Sequence, residues 1–155
     1  MAKKTDIHNG SLLEQFGMKP YKLRAKESYM TKRQLTHFRK LLNAWKDQLE
    51  KEAEKTVNHM QNDSNSLADP NDRATQESEF GLELRTRDRE RKLLRKIQIS
   101  LSKIEEGTYG FCEETGEEIG LERLEARPVA TLCLEAQERR EIKDKQYSEG
   151  DDYLR

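Results

Sequence analysis

Cys112 and Cys133 are the chain's two cysteines. Each opens a segment with the spacing of a metal knuckle: Cys112-Glu113-Glu114-Thr115 and Cys133-Leu134-Glu135-Ala136. A zinc ribbon takes four soft ligands, commonly from two knuckles whose cysteines are separated by two residues. Here Thr115 and Ala136 stand where the second cysteine of each knuckle would be. The histidines, His8, His37 and His59, lie far away in the sequence and do not complete the set. Two thiolates alone hold zinc weakly, so zinc is not expected. The pattern predicts a ribbon-like knuckle that folds without metal, Thr115 and Ala136 filling the space. Ordinary buried thiols account for the cysteines better than a redox role does. A disulfide between them is an alternative, decided by thiol counting before and after mild oxidation.

Other clusters carry weaker signals. Asp69 and Asp72 sit three apart beside Pro70, at the start of a helical stretch. Capping and the helix dipole explain Asp69, a contribution of roughly 0.5–2 kcal/mol. They do not explain why the surrounding loop is small and slender, a shape that suits a narrow channel. The run Arg85-Thr86-Arg87-Asp88-Arg89-Glu90-Arg91-Lys92 reads as a solvated helix with spaced ion pairs such as Glu83–Arg87, or as a collar gripping an acidic partner. Glu113, Glu114, Glu117 and Glu118 cluster with no cationic or apolar setting to tune them, so a solvated face is expected. No phosphate-binding loop, dinucleotide fingerprint, zinc-protease helix or nucleophile elbow is present, and the chain is not expected to be an enzyme.

The elements that would position these groups are mainly helical. Residues 1–30 form a polar arm with turn formers Asn9-Gly10, Gly17 and Pro20, read as loosely ordered with a short helix around 11–16. From 31 to 63, Leu35, Phe38, Leu42, Trp45 and Leu49 recur at steps of three and four, and Thr31 with Gln34 fits a capping box. A second helix is expected from 70 to 106, with Phe80, Leu84, Leu94, Ile97, Leu101 and Ile104 as its stripe and Gly107 as its stop. Helices this long, joined by the 63–72 segment, bury their stripes by folding back into an antiparallel coiled-coil hairpin roughly 50 Å long. The hairpin therefore covers 31–107. Residues 108–147 are expected to hold two short strands, the degenerate zinc-ribbon-like knuckle and a C-terminal helix, with 148–155 a tail.

Composition narrows the function further. Charged residues make up 38% of the 155 and hydrophobic ones 33%, too few for a deep core and a buried catalytic pocket. Twenty-nine basic residues against 30 acidic give a net charge of −1. That balance argues against a nucleic-acid coat, which needs surplus positive charge, and against a disordered polyelectrolyte. No run approaches the ~18 apolar residues of a membrane span. The basic Met1-Ala2-Lys3-Lys4 is not followed by an apolar signal region, so a cytoplasmic protein with reduced thiols is expected.

Longer strings make a family resemblance visible. Asp69-Pro70-x-Asp72-Arg73-Ala74, then Glu79-Phe80-x-Leu82-Glu83-Leu84-Arg85-x-Arg87-Asp88-Arg89-Glu90-Arg91-Lys92-Leu93, closely resemble the DksA family. So do Tyr109-Gly110-Phe111-Cys112, Glu118-Ile119-Gly120 and Arg123-Leu124-Glu125-Ala126-Arg127-Pro128. The likeness covers roughly residues 20–147. It implies a monomeric regulator that binds bacterial RNA polymerase and not DNA, entering the secondary channel with its hairpin and altering promoter open complexes in the stringent response. It implies that Asp69, Asp72 and Ala74 approach the active centre and that Arg89 contacts the polymerase. It implies guanosine tetraphosphate as the effector at the interface, on Lys96 and Arg127. Typical members carry four zinc cysteines and a third alarmone contact, a lysine, where this chain has Gln137. The chain resembles the cysteine-poor, zinc-independent branch, with weaker alarmone synergy. Two alternatives remain: a transcript-cleavage factor whose tip carboxylates position a metal, and a thiol redox sensor on a structural rod.

Overall fold

The structure, a computed structural model, describes residues 11–63 and 70–152. Five helices follow in order: α1 (Leu12–Gln15), α2 (Lys32–Asp63), α3 (Pro70–Glu106), α4 (Leu121–Ala126) and α5 (Leu134–Asp152). The expected capping box forms in part. The Thr31 hydroxyl accepts from the Gln34 amide at 3.4 Å, while the Gln34 side chain accepts from Met30 N–H at 2.8 Å rather than from Thr31. Gln34 can be fully buried because its amide group also donates to Ser28 C=O at 3.0 Å. At the far end of α3, Gly107 takes a φ of +79° and the amides of Thr108 and Tyr109 return to Lys103 C=O, so the predicted stop is a left-handed one.

Helices α2 and α3 pair antiparallel. As residue numbers rise on one they fall on the other: Arg39 Nη2 lies 2.8 Å from Glu105, and His59 Nδ1 lies 3.5 Å from Glu83. The seam is strongly apolar only near the base, where Phe38, Leu42, Leu49, Ile97 and Ile104 are buried and Leu35, Trp45, Leu94 and Leu101 pack against them. Farther out the face of α3 turned inward runs through Phe80, Glu83, Arg87 and Glu90, half-buried at steps of three and four into Leu94 and Ile97. Leu84, expected in the stripe, is 48% exposed. The heptad phase set by Ile97 and Leu94 puts Glu83 inward and Leu84 one position out of register.

The base closes the other pole. The two expected strands are not formed; a single antiparallel bridge joins Phe111 to Glu118. Turn contacts take over the backbone groups, with Cys112 N–H to Glu117 C=O at 2.7 Å and Ile119 N–H to Gly110 C=O at 2.9 Å. Gly110 has a φ of +91°, which favours glycine, and a Cβ there would lie 2.9 Å from the end of the Met30 side chain, which would have to move aside. Nor is the described part of the arm loose. Tyr29 donates its hydroxyl proton to Gly110 C=O at 2.7 Å and accepts from Gly120 N–H at 3.0 Å. Tyr21 N–H donates to Glu125 at 2.6 Å, and Leu13 of α1 is buried. Residues 11–30 form a strap across the base, held by hydrogen bonds spanning up to about a hundred residues, a distance at which no local periodicity could announce it.

Candidate functional site

The hairpin begins its return at Pro70, and Asp72 and Ala74 lie on the exposed first turns of α3. Asp72 is the acidic residue of that first turn, where the free N–H groups and the helix dipole favour a carboxylate. Asp69 lies outside the described residues. Arg89 is exposed on α3 between half-buried Arg87 and Glu90, so it points away from the seam. Among the described residues the tip and Arg89 thus share one feature, open access along the rod.

Lys96, Arg127 and Gln137, separated widely in sequence, line one cleft of about 420 Å³ between α3, the end of α4 and the start of α5. The fold fixes each. Lys96 precedes fully buried Ile97 on α3. Arg127 caps α4, its N–H on Arg123 C=O at 2.8 Å, and is followed by buried Pro128, whose carbonyl accepts from Tyr109 at 2.7 Å. Gln137 follows fully buried Ala136, and its amide group donates to Glu141 at 2.9 Å. Arg123 and Arg140 line the same cleft, and neither received a role from sequence alone. Arg140 lies one helical turn beyond Gln137, a spacing that could have pointed to it. The cleft's carboxylate, Glu113, is already paired with Lys103. Cations therefore outnumber free carboxylates there, and a phosphate-bearing ligand fits its chemistry. A roomier concavity, about 970 Å³, lies between the strap and α4; of the residues predicted for function only Arg127 borders it.

The knuckle brings its residual positions together. Cys112 and Cys133 are buried free thiols, Ala136 is fully buried, and the Thr115 hydroxyl lies 3.8 Å from Cys133 Sγ. Burial pushes the Cys112 thiol up, but the Thr115 hydroxyl and the backbone amides of Cys133, Thr115 and Glu114 outweigh it and bring the pKa down to about 6. Two thiols, one hydroxyl and a methyl are not the donor set of a tetrahedral four-thiolate zinc site. Among the described residues no group of three or more His, Cys, Asp or Glu is placed to hold a metal. Nor, among them, is any helix long and apolar enough to cross a membrane.

Comparison with known proteins fits this geometry. The family of the DnaK suppressor protein DksA N-terminal domain matches residues 34–104, which span most of the hairpin. The prokaryotic dksA/traR C4-type zinc finger family matches residues 107–141, the base, although this chain keeps two of the four thiols in that family's name. The chain is 53% identical over 136 residues to the RNA polymerase-binding transcription factor DksA of Haemophilus influenzae, covering 88% of this chain and 94% of that protein. To the factor of the same name from Escherichia coli K12 it is 51% identical, covering 88% and 90%. The solved structure of transcription factor DksA2 from Pseudomonas aeruginosa superposes with a TM-score of 0.73 at 36% identity, covering 85% of this chain and 97% of that one. Fold, hairpin and base agree with these relatives over nearly their whole length, and the chain belongs to the DksA family.

Proposed function

We propose that this protein regulates transcription by binding bacterial RNA polymerase directly, its hairpin entering the secondary channel and its tip, Asp69, Asp72 and Ala74, acting near the active centre. What carries the reading is that the likeness to factors named for polymerase binding spans both hairpin and base, so the binding device is shared whole. The rod and base, with Arg89 on the rod, supply affinity. The tip biases promoter complexes that differ by about a few kcal/mol, and it can shift them only through different affinities for the two states. Guanosine tetraphosphate is the proposed effector, its phosphates held by Lys96 and Arg127 in the cationic cleft. The protein works without zinc, as a monomer in the cytoplasm, and without DNA contacts. It does not catalyse a reaction.

The test is run-off transcription from a ribosomal RNA promoter, titrating the protein with and without guanosine tetraphosphate in a chelator that spares magnesium. Inhibition that survives chelation supports the reading; a folded protein without effect removes it. Shortened RNA from a stalled complex would place the protein among cleavage factors instead. Asp72→Asn is expected to leave polymerase affinity within about threefold and the fold intact, since an exposed first-turn carboxylate contributes only about 0.3–1 kcal/mol to its helix. Regulation should drop sharply. Parallel loss of affinity and regulation would make Asp72 an anchor.

A further inference from the structure

The strap leaves a groove of about 720 Å³ where residues 18–22 run beside the first turns of α2. Its ionisable lining is basic: Lys19, Lys22, Arg33 and Lys40, with His37 and the Tyr21 ring between them. In a chain of net charge −1 this is a concentrated positive surface. The four cations are exposed, and among the described residues none of them forms an ion pair. The nearby carboxylates already have partners at the groove's edge. Glu27 accepts from the Arg24 amide at 2.9 Å and from the hydroxyls of Tyr21 and Thr31. Glu125 accepts from the Tyr21 amide and faces His37 Nε2 at 3.2 Å. Those contacts also fix the groove's shape, and the Arg33 guanidinium stacks 5.1 Å from the Tyr21 ring centre. Arg33 feels the Glu27 carboxylate, but Lys19, Lys22 and Lys40 have no ion-pair partner among the described residues, so the groove carries a preorganised, solvent-facing excess of positive charge.

We infer that this groove is a docking surface for an acidic segment of the polymerase, a contact additional to the tip, Arg89 and the cationic cleft. The inference rests on the polymerase-binding reading above. A protein segment fits better than nucleic acid: the chain's remaining surface is net negative and repels a polyanion, whereas a short acidic stretch meets only the groove. The aromatic floor supplied by Tyr21 suits a segment that also carries an apolar side chain. Charge pairs at the rim of an interface act mainly on encounter rate and salt dependence.

The experiment measures the affinity of the full chain for polymerase holoenzyme across a salt series, for the wild type, for Lys19→Glu/Lys22→Glu/Lys40→Glu and for the matching triple Lys→Gln variant. All three lysines are exposed, so circular dichroism should be unchanged. Reversal should weaken binding about tenfold at low salt and flatten the salt dependence, with the neutral variant intermediate. Inhibition should return at saturating protein. Affinity within about twofold of wild type, with an unchanged salt slope, overturns the inference. So does a groove that binds single-stranded or duplex DNA and loses that binding in the variant while polymerase affinity stands. Wild-type protein that fails to bind polymerase would instead sink the functional reading, an outcome visible before any variant is made.

Discussion

Thr115→Cys combined with Ala136→Cys would complete four thiols at the knuckle, and the two positions carry different costs. Thr115 is exposed, so cysteine there overpacks nothing, but it gives up the hydroxyl that accepts from Glu117 N–H at 3.3 Å and supports the Cys112 thiolate. Ala136 is fully buried, so an added sulfur overpacks the base by about 1–3 kcal/mol while no metal is present. For a domain of this size each kcal/mol moves the unfolding midpoint by about 2–4 °C. The metal-free double variant should therefore melt roughly 2–12 °C below wild type. Zinc at about a thousand times its dissociation constant then adds about 4 kcal/mol, since it binds the folded state alone, and raises the midpoint by roughly 8–16 °C. Wild type, with two thiols, should move by no more than about 1 °C under the same linkage. The assay is thermal unfolding with and without zinc, with metal content measured after dialysis. If wild type holds zinc one-to-one and rises as far as the variant, the argument from donor number is wrong. If the double variant ignores zinc, the knuckle has drifted from ligand geometry.

Other outcomes follow from charge. Cys112, with its pKa drawn down to about 6 from an ordinary 9.0, stabilises the fold as thiolate. That contribution is complete above about pH 9 and lost as pH falls through about 6. Wild type minus Cys112→Ser should show this pH dependence in denaturant melts, and a flat difference would remove it. Glu27 is drawn from 4.5 to about 2 by the Arg24 amide first, then by the Tyr21 and Thr31 hydroxyls and Arg33. The strap should therefore loosen as pH falls through 4.5 to about 2, seen as protease cleavage in the strap, and Glu27→Gln should cleave at neutral pH. Gln137→Lys should strengthen the response to guanosine tetraphosphate about tenfold in half-maximal concentration, one charge-assisted phosphate contact contributing about 1.5 kcal/mol. An unchanged midpoint would remove Gln137 from the ligand's reach.

What could be read in advance tracks the range of the forces involved. Capping residues, the Leu35 to Leu49 stripe and the Gly107 stop are local or periodic, and their helices lie where the residues put them. Leu84 misled because apolar character does not set heptad phase; buried Ile97 and Ile104 do. The strap was missed because Tyr21 and Tyr29 bond to Glu125, Gly110 and Gly120, partners that no window of neighbouring residues contains. At the cationic cleft Lys96 and Arg127 were reachable through the family resemblance, whereas the places of Arg123 and Arg140 in it follow only once α3, α4 and α5 are assembled. The basic groove needed the same assembly, with half its cations on the strap and half on α2.

The seam through Glu83, Arg87 and Glu90 gives the hairpin a stiff handle and a compliant outer half. Apolar burial, which stabilises by roughly 25 cal/mol per Å², is spent near the base and is scarce along the outer half of α3. Opening the outer half therefore takes less free energy than unfolding the base, and its amides should exchange by local separation of the two helices while those around Ile97 wait for global unfolding. The outer half of the rod can therefore flex while the base behind it stays packed.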